Sequence, residues 1–442
     1  MFNRKVFRDH LQNFLTDSLY ICEKNSDRLI FDDLKWPTFF PNGKYKKYEI
    51  KKEPDYDFFI RNIIKNEIQE LHSNLIIVKF FVTSQIKDYN KKLLGDVHEN
   101  FDVKPDFAND LPLKFLVEYI NLNKGFNFNK KIYQKTLDSF TKFLENPLED
   151  EYVTPLFNFE SDINKKGVFV NDIEIRKVTE LEFYKFVDLD ENSNISSVYH
   201  NLTHVLATKL TTPDLSSGHE IIKNKFQNLL NSFSLFTIGN PQFGTIFRNI
   251  NNPWFHYDST NEKNVSKQLT LKFKKNDSNK ITSILNSLNL IDFTKKENKF
   301  LDIAIRRFSS ALARTDSVDQ FIDLMISLEA LYGGGERGEI TTKLSSRLAT
   351  LVAKNEKERE DYWEFTKKMY SLRSGIVHGS KENIMPDEDL EKIIKLVRKS
   401  IHLYLKLANS YSGGGKITTI CDDIDAALVN KEKLKLLKSK LK

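Results

Sequence analysis

DQFIDLMISLEALYGGG, residues 319–335, is the stretch whose reading decides the fold. Phe321, Ile322, Met325, Leu328 and Leu331, with Val318 just ahead, recur at three- and four-residue intervals. That spacing buries one face of an α-helix. Asp316 stands before the run as an N-cap, able to accept from the first free N–H groups, and the glycines at 333–335 end it. The same periodicity extends outward on both sides. LDIAIRRFSSALAR, residues 301–314, predicts one helix, and a second holds Leu344, Leu348, Leu351 and Val352. The next runs from Glu356 through Tyr362, Trp363, Thr366 and Tyr370 to His378, with Gly379 suited to the position after its end. Pro386 opens another, DEDLEKIIKLVRKSIHLYLKLANS, whose acidic first turn suits the helix dipole. Between residues 300 and 412 proline occurs once. Residues 297–412 therefore read as an all-α bundle.

Residues 1–296 read differently, as a mixed α/β region with an antiparallel sheet, so the fold class is α+β. LIIVKFFV, residues 75–82, is rich in β-branched and aromatic side chains and predicts a buried strand. KWPTFFPNGKYKKYEIKKEPDYD, residues 35–57, carries three prolines and a Pro-Asn-Gly turn and predicts loop and edge strand. Two helical patterns follow over 111–145, the second with Ile132, Leu137, Phe140 and Phe143 near one face. GVFVNDIEIRK, residues 167–177, is the clearest hairpin, with Asn171 and Asp172 at the turn. A helix is expected over 218–236, with Ile222, Phe226, Leu229, Leu230 and Phe233 as its apolar stripe, and LTLKFKK, residues 269–275, alternates as a half-exposed strand. After Ser412, GGGK reads as a flexible break before a basic tail, residues 413–442, with six lysines in its last twelve positions. A solvated helix that folds against its own protein or frays is its plainest reading; RNA, an acidic partner or a membrane surface are its alternatives.

The chain has 442 residues, more than one core usually spans, and a net charge of +6 from 67 basic and 61 acidic residues. That charge is a mild prior for a polyanionic partner. Two cysteines, Cys22 and Cys421, argue against a disulfide framework or a cysteine zinc site and fit a reducing compartment. The first residues, MFNRKVFRDHLQNFLTD, lack an apolar signal core, and no apolar run is long enough to span a bilayer. A cytoplasmic protein without a membrane span is expected.

The chemistry concentrates in YSLRSGIVHGS, residues 370–380. Arg373 offers a permanently charged planar fork that matches a phosphate, and His378 moves protons near neutral pH. Together they form a minimal kit for cleaving a phosphodiester without metal or cofactor. In RNA cleavage the 2′-hydroxyl attacks phosphorus and the 5′-oxygen leaves. A histidine proton transfer is worth ~10²–10⁴ in rate, and a donor to the developing anion ~10²–10³. Five helical positions separate the two side chains by ~140°, so they share a face only if the helix bends or ends between them, for which Gly375 and Gly379 offer places. Ser374, one turn before His378, shares its face and can orient it or bind phosphate.

The segments at 319–335, 343–353 and 372–379 resemble the HEPN superfamily of helical ribonuclease domains, in particular its ApeA-like branch. The family's mark is arginine, four to six residues, then histidine, which Arg373 and His378 match with four between. The resemblance covers about the last third of the chain. It implies a homodimer that joins two motifs into one composite site on an RNA substrate, and a place in bacterial antiviral defence. Residues 1–296 would then silence the nuclease and sense a trigger, of phage or other origin. Glu329 matches an acidic position common in the family's second helix, where it would hold Arg373; its alternative is a structural ion pair, with Arg347 for example. Ser374 stands where the family usually has a larger polar residue.

Two other readings differ in class: an inactive HEPN-like dimerisation or RNA-binding module, and the toxin half of a toxin–antitoxin pair. His200 and His204, in HNLTH, have the spacing of a helical zinc pair, but Asn201 replaces a metalloprotease glutamate, so a structural role is expected. GGGK at 413–416 lacks the hydroxyl residue and upstream glycine of a phosphate loop, and GGGERG at 333–338 lacks the strand of a dinucleotide site.

Overall fold

The computed structural model describes residues 4–39, 45–83, 106–145, 149–163, 166–188, 199–211, 215–254, 258–259, 269–333, 339–378, 385–410 and 417–441. The chain is an α+β protein whose C-terminal part is helical.

Helices α1 (Arg4–Lys24), α2 (His72–Thr83), α3 (Asp106–Asn123) and α4 (Lys130–Glu145) gather around Phe7, Phe14, Ile77, Phe115, Phe140 and Trp254. Here the expected strand at 75–82 is a helix. An unbroken apolar run does not choose its own period. Tertiary packing chose: Ile77 is buried and Val78 packs on the core, while Leu75 stays exposed, a one-sided pattern only a helix gives. The proline-bearing stretch from 35 contributes to a hairpin, β1 (Phe31–Phe39) with β2 (Tyr45–Pro54), paired from Phe31↔Pro54 to Thr38↔Lys47. The Pro-Asn-Gly turn at 41–43 lies outside the described residues.

The main sheet is antiparallel. It uses β3 (Glu149–Phe157), β5 (Val168–Val170), β6 (Ile173–Lys177), β7 (His204–Thr211), β8 (Gln242–Phe243), β9 (Phe247–Arg248) and β10 (Asp258–Ser259) in the order β10-β9-β3-β7-β6-β5, with β8 also on β3. The expected hairpin is β5–β6, and Asn171 takes the left-handed φ of 55° that its turn needs. A short parallel pair joins β4 (Phe159–Ser161) to β11 (Leu271–Phe273), where Leu271 and Phe273 are buried and Lys272 is exposed. Helix α5 (Glu180–Asp188) lies between β6 and β7 in the chain. Helix α6 (Leu215–Phe236) lays Ile222, Phe226, Leu229, Leu230 and Phe233 on the sheet, as its spacing predicts.

Helix α7 (Ser278–Asn289) belongs to the sheet-bearing region and leads into the bundle, which comprises α8 (Lys299–Ala313), α9 (Ser317–Tyr332), α10 (Ile340–Val352), α11 (Glu356–Val377), α12 (Asp387–Ser410), α13 (Ile417–Val429) and α14 (Lys431–Ser439). Asp316 caps α9, its carboxylate accepting from the N–H groups of Val318 (2.9 Å) and Asp319 (2.8 Å). Phe321, Leu324, Met325, Leu328 and Leu331 all enter the core. So do Ile420, Cys421, Ile424, Ala427 and Leu437, from beyond position 412. The core therefore crosses the boundary expected there, and α13 and α14 are bundle helices; GGGK at 413–416 lies outside the described residues. Among the described residues no helix is long and apolar enough to cross a membrane.

Candidate active site

Helix α11 starts on Asn355, whose side chain accepts from Glu358 N–H at 2.9 Å, and buries Phe365, Thr366 and Met369 against the bundle. It runs unbroken through Gly375, which is buried, to Val377. His378 is the C-cap, with φ −92° and ψ 4°, its N–H donating to Ser374 O at 3.1 Å. The helix therefore does not break at Gly375 but ends at Val377, so the motif's histidine is the first residue beyond it; on a regular helix positions 373 and 378 lie ~140° apart.

Arg373 leans toward α9. Its Nε lies 3.4 Å from Glu329 Oε1, with both side chains about one-quarter exposed, and the guanidinium carbon sits 6.0 Å from the centre of the Tyr370 ring. Neither Nε nor Oε1 has an aligned hydrogen-bond partner among the described residues. This is an ion pair at long range, weaker than a charge-assisted hydrogen bond. Burial accordingly wins at Glu329: desolvation raises its pKa above the ordinary carboxylate value, and Arg373 pulls it back only in part. Tyr370 is likewise raised, first by burial and then by Glu329. His378 is exposed, and Ser374 is half-buried.

Of the four expected site residues, then, Arg373 and Glu329 meet across two helices, Ser374 touches His378 through the backbone, and His378 stands apart at the helix end. The alternative partner for Glu329 is otherwise engaged. Arg347 makes a two-pronged contact with Asp425, Nε–Oδ1 2.7 Å and Nη2–Oδ2 2.6 Å, and donates from Nη1 to Tyr332 O at 2.7 Å. Tyr370 was not among the expected residues, although its place one turn before Arg373 was the available signal.

The remaining motif residues separate. His200 lies in a 3-10 turn, Tyr199–Asn201, and His204 opens β7, so HNLTH is not helical and its two histidines share no helix face. Residues 334–338 and Gly379 lie outside the described residues. No protein-family model matches the chain, and no curated protein or solved structure matches it either.

Proposed function

We propose that the chain is a metal-independent endoribonuclease that acts as a homodimer, with Arg373 binding and stabilising the scissile phosphate and His378 acting as acid or base. The observation that carries this reading is the outer end of α11. Arg373 lies beside Glu329 in a long-range ion pair of 3.4 Å that makes no aligned hydrogen bond, and an exposed histidine follows at the same helix end. Because positions five apart on a regular helix lie ~140° apart, a second copy would bring an arginine and a histidine to one phosphate, which a two-fold interface permits. The sequence resemblance supplies the setting, RNA cleavage in antiviral defence, with residues 1–296 as the sensing part.

The unbroken helix through Gly375 also favours a second reading, in which the Arg373–Glu329 pair and the His378 cap are structural and the bundle is an inactive module. Expressing wild type and His378→Ala, then comparing growth and total RNA integrity, separates the two. The nuclease reading expects cleavage in vitro that persists in EDTA and falls ~10²–10⁴ in His378→Ala. Equal RNA damage by both proteins removes His378 from the mechanism. An intact RNA pool with a dimeric wild-type protein favours the module.

A further inference from the structure

Two helices of the sheet-bearing region reach the bundle, and both end against α12. Helix α6 places Ile222, Phe226, Leu229 and Phe233 in the sheet core, whereas Leu235 in its last turn lies in the bundle core. Helix α7 divides the same way: Ile281 and Leu285 face the sheet core and Leu288 the bundle core. The last carbonyls of any helix lack a donor within it. Side chains of α12 supply donors here. Arg398 donates from Nε to Ser234 O (3.3 Å) and from Nη2 to Thr237 O (3.0 Å). His402 Nε2 lies 3.0 Å from Leu235 O, and because a carbonyl only accepts, that nitrogen carries the proton. Asn409 Nδ2 donates to Ser287 O at 3.3 Å.

These positions, 398, 402 and 409, fall within about 40° of one line along the helix, so α12 presents a single strip of donors. Arg398 makes no ion pair with a carboxylate among the described residues; its guanidinium lies 5.6 Å from the centre of the Phe308 ring and its charge faces a negative helix end. Elsewhere α12 grips the end of α9. Tyr404 Oη donates to Leu331 O at 2.5 Å, and Tyr332 Oη donates to Ser400 Oγ at 2.9 Å. Glu329 lies two and three residues before those partners.

We propose that α12 is a coupling element: displacement of α6 or α7 in the sheet-bearing region passes through Arg398, His402 and Asn409 to the end of α9, beside the Glu329–Arg373 pair. The joints are directed hydrogen bonds, three to the end of α6 and one to the end of α7; packed interfaces of this kind shift between discrete arrangements and do not deform smoothly. The proposal does not depend on nuclease activity.

Hydrogen exchange on the full chain tests it. Phe226→Leu loosens α6 on its sheet side, far from α9 in sequence. With Arg398 intact, it should accelerate exchange at amides 328–332 by at least about fivefold; in an Arg398→Met background the transmitted change should fall below about twofold. Equal acceleration in both backgrounds overturns the proposal, as does loosening of α6 with no change at 328–332 in either. Should Arg398→Met fail to fold by circular dichroism, Asn409→Ala serves with Ile281→Val as the sheet-side change on α7, under the same two outcomes.

Discussion

His204 is 1% exposed, with its Nδ1 2.7 Å from Thr203 Oγ1 and its Nε2 2.9 Å from Ser161 Oγ. Burial first, and the Lys177 charge second, push its pKa from 6.5 down to about 3. In the pH range between those values the unfolded chain binds a proton that the folded chain refuses. Stability therefore falls as pH drops below 6.5, by ~1.4 kcal/mol per pH unit from this one group. Urea unfolding at pH 7, 6 and 5 should show a shallower loss in His204→Gln than in wild type, and parallel slopes would remove His204 as the source. Single residues also mark where sequence reading succeeds. Asn171 announces its turn because few residues accept its φ, and Asp316 announces a cap because the groups it bonds are its immediate neighbours. His204 announces nothing, since Ser161 reaches it from 43 positions away. Glu329 and Arg373 could be paired only through the family resemblance, and the looseness of their 3.4 Å contact was invisible until both helices were placed.

Helix α14 looks like a solvated tail because six of the last twelve residues are lysine, yet two of its side chains belong to the interior. Leu437 is 2% exposed in the bundle core. Lys438 Nζ donates to Leu351 O (2.8 Å) and Ala353 O (2.7 Å), capping the end of α10. Burial, then Lys399 and Arg359, push the Lys438 ammonium down to about 8. Leu437→Ala should cost about 2–5 kcal/mol, the range for truncating a buried leucine, with the midpoint of urea unfolding lowered and its slope unchanged. A loss below about 0.5 kcal/mol, the size of a surface change, would mean that α14 hangs free of the core. The regular helices α8 to α12 were readable because each writes its buried face in its own spacing. A short lysine-rich helix carries three leucines, of which only Leu437 is fully buried, and depends on α10 for the rest. The run at 75–82 fails for the opposite reason: almost every position is apolar, so no face is marked and α1 and α3 decide it.

For the whole molecule, a boundary at residues 296–297 separates sequence textures but not the packing. Leu235 and Leu288 from the sheet side lie in the bundle core, and α12 closes both joints. Such contacts run between segments more than 100 positions apart and leave no periodic trace, so they were not foreseen. What the chain forms with a second copy decides the nuclease reading, and mixing tests it directly. Arg373→Ala and His378→Ala should each be inactive as homodimers. Coexpressed, about half of the dimers are mixed if the copies pair at random about a two-fold axis. A mixed dimer holds one intact arginine and one intact histidine. If these meet across the interface, RNA cleavage returns to about 10² above either parent, though below wild type because one proton-transfer group is still missing. If each chain works alone, the mixture stays as inactive as its parents even when native mass spectrometry shows the mixed dimer. A wild-type chain that cleaves RNA while sedimenting as a monomer would also remove the composite site, which needs an arginine and a histidine from two copies.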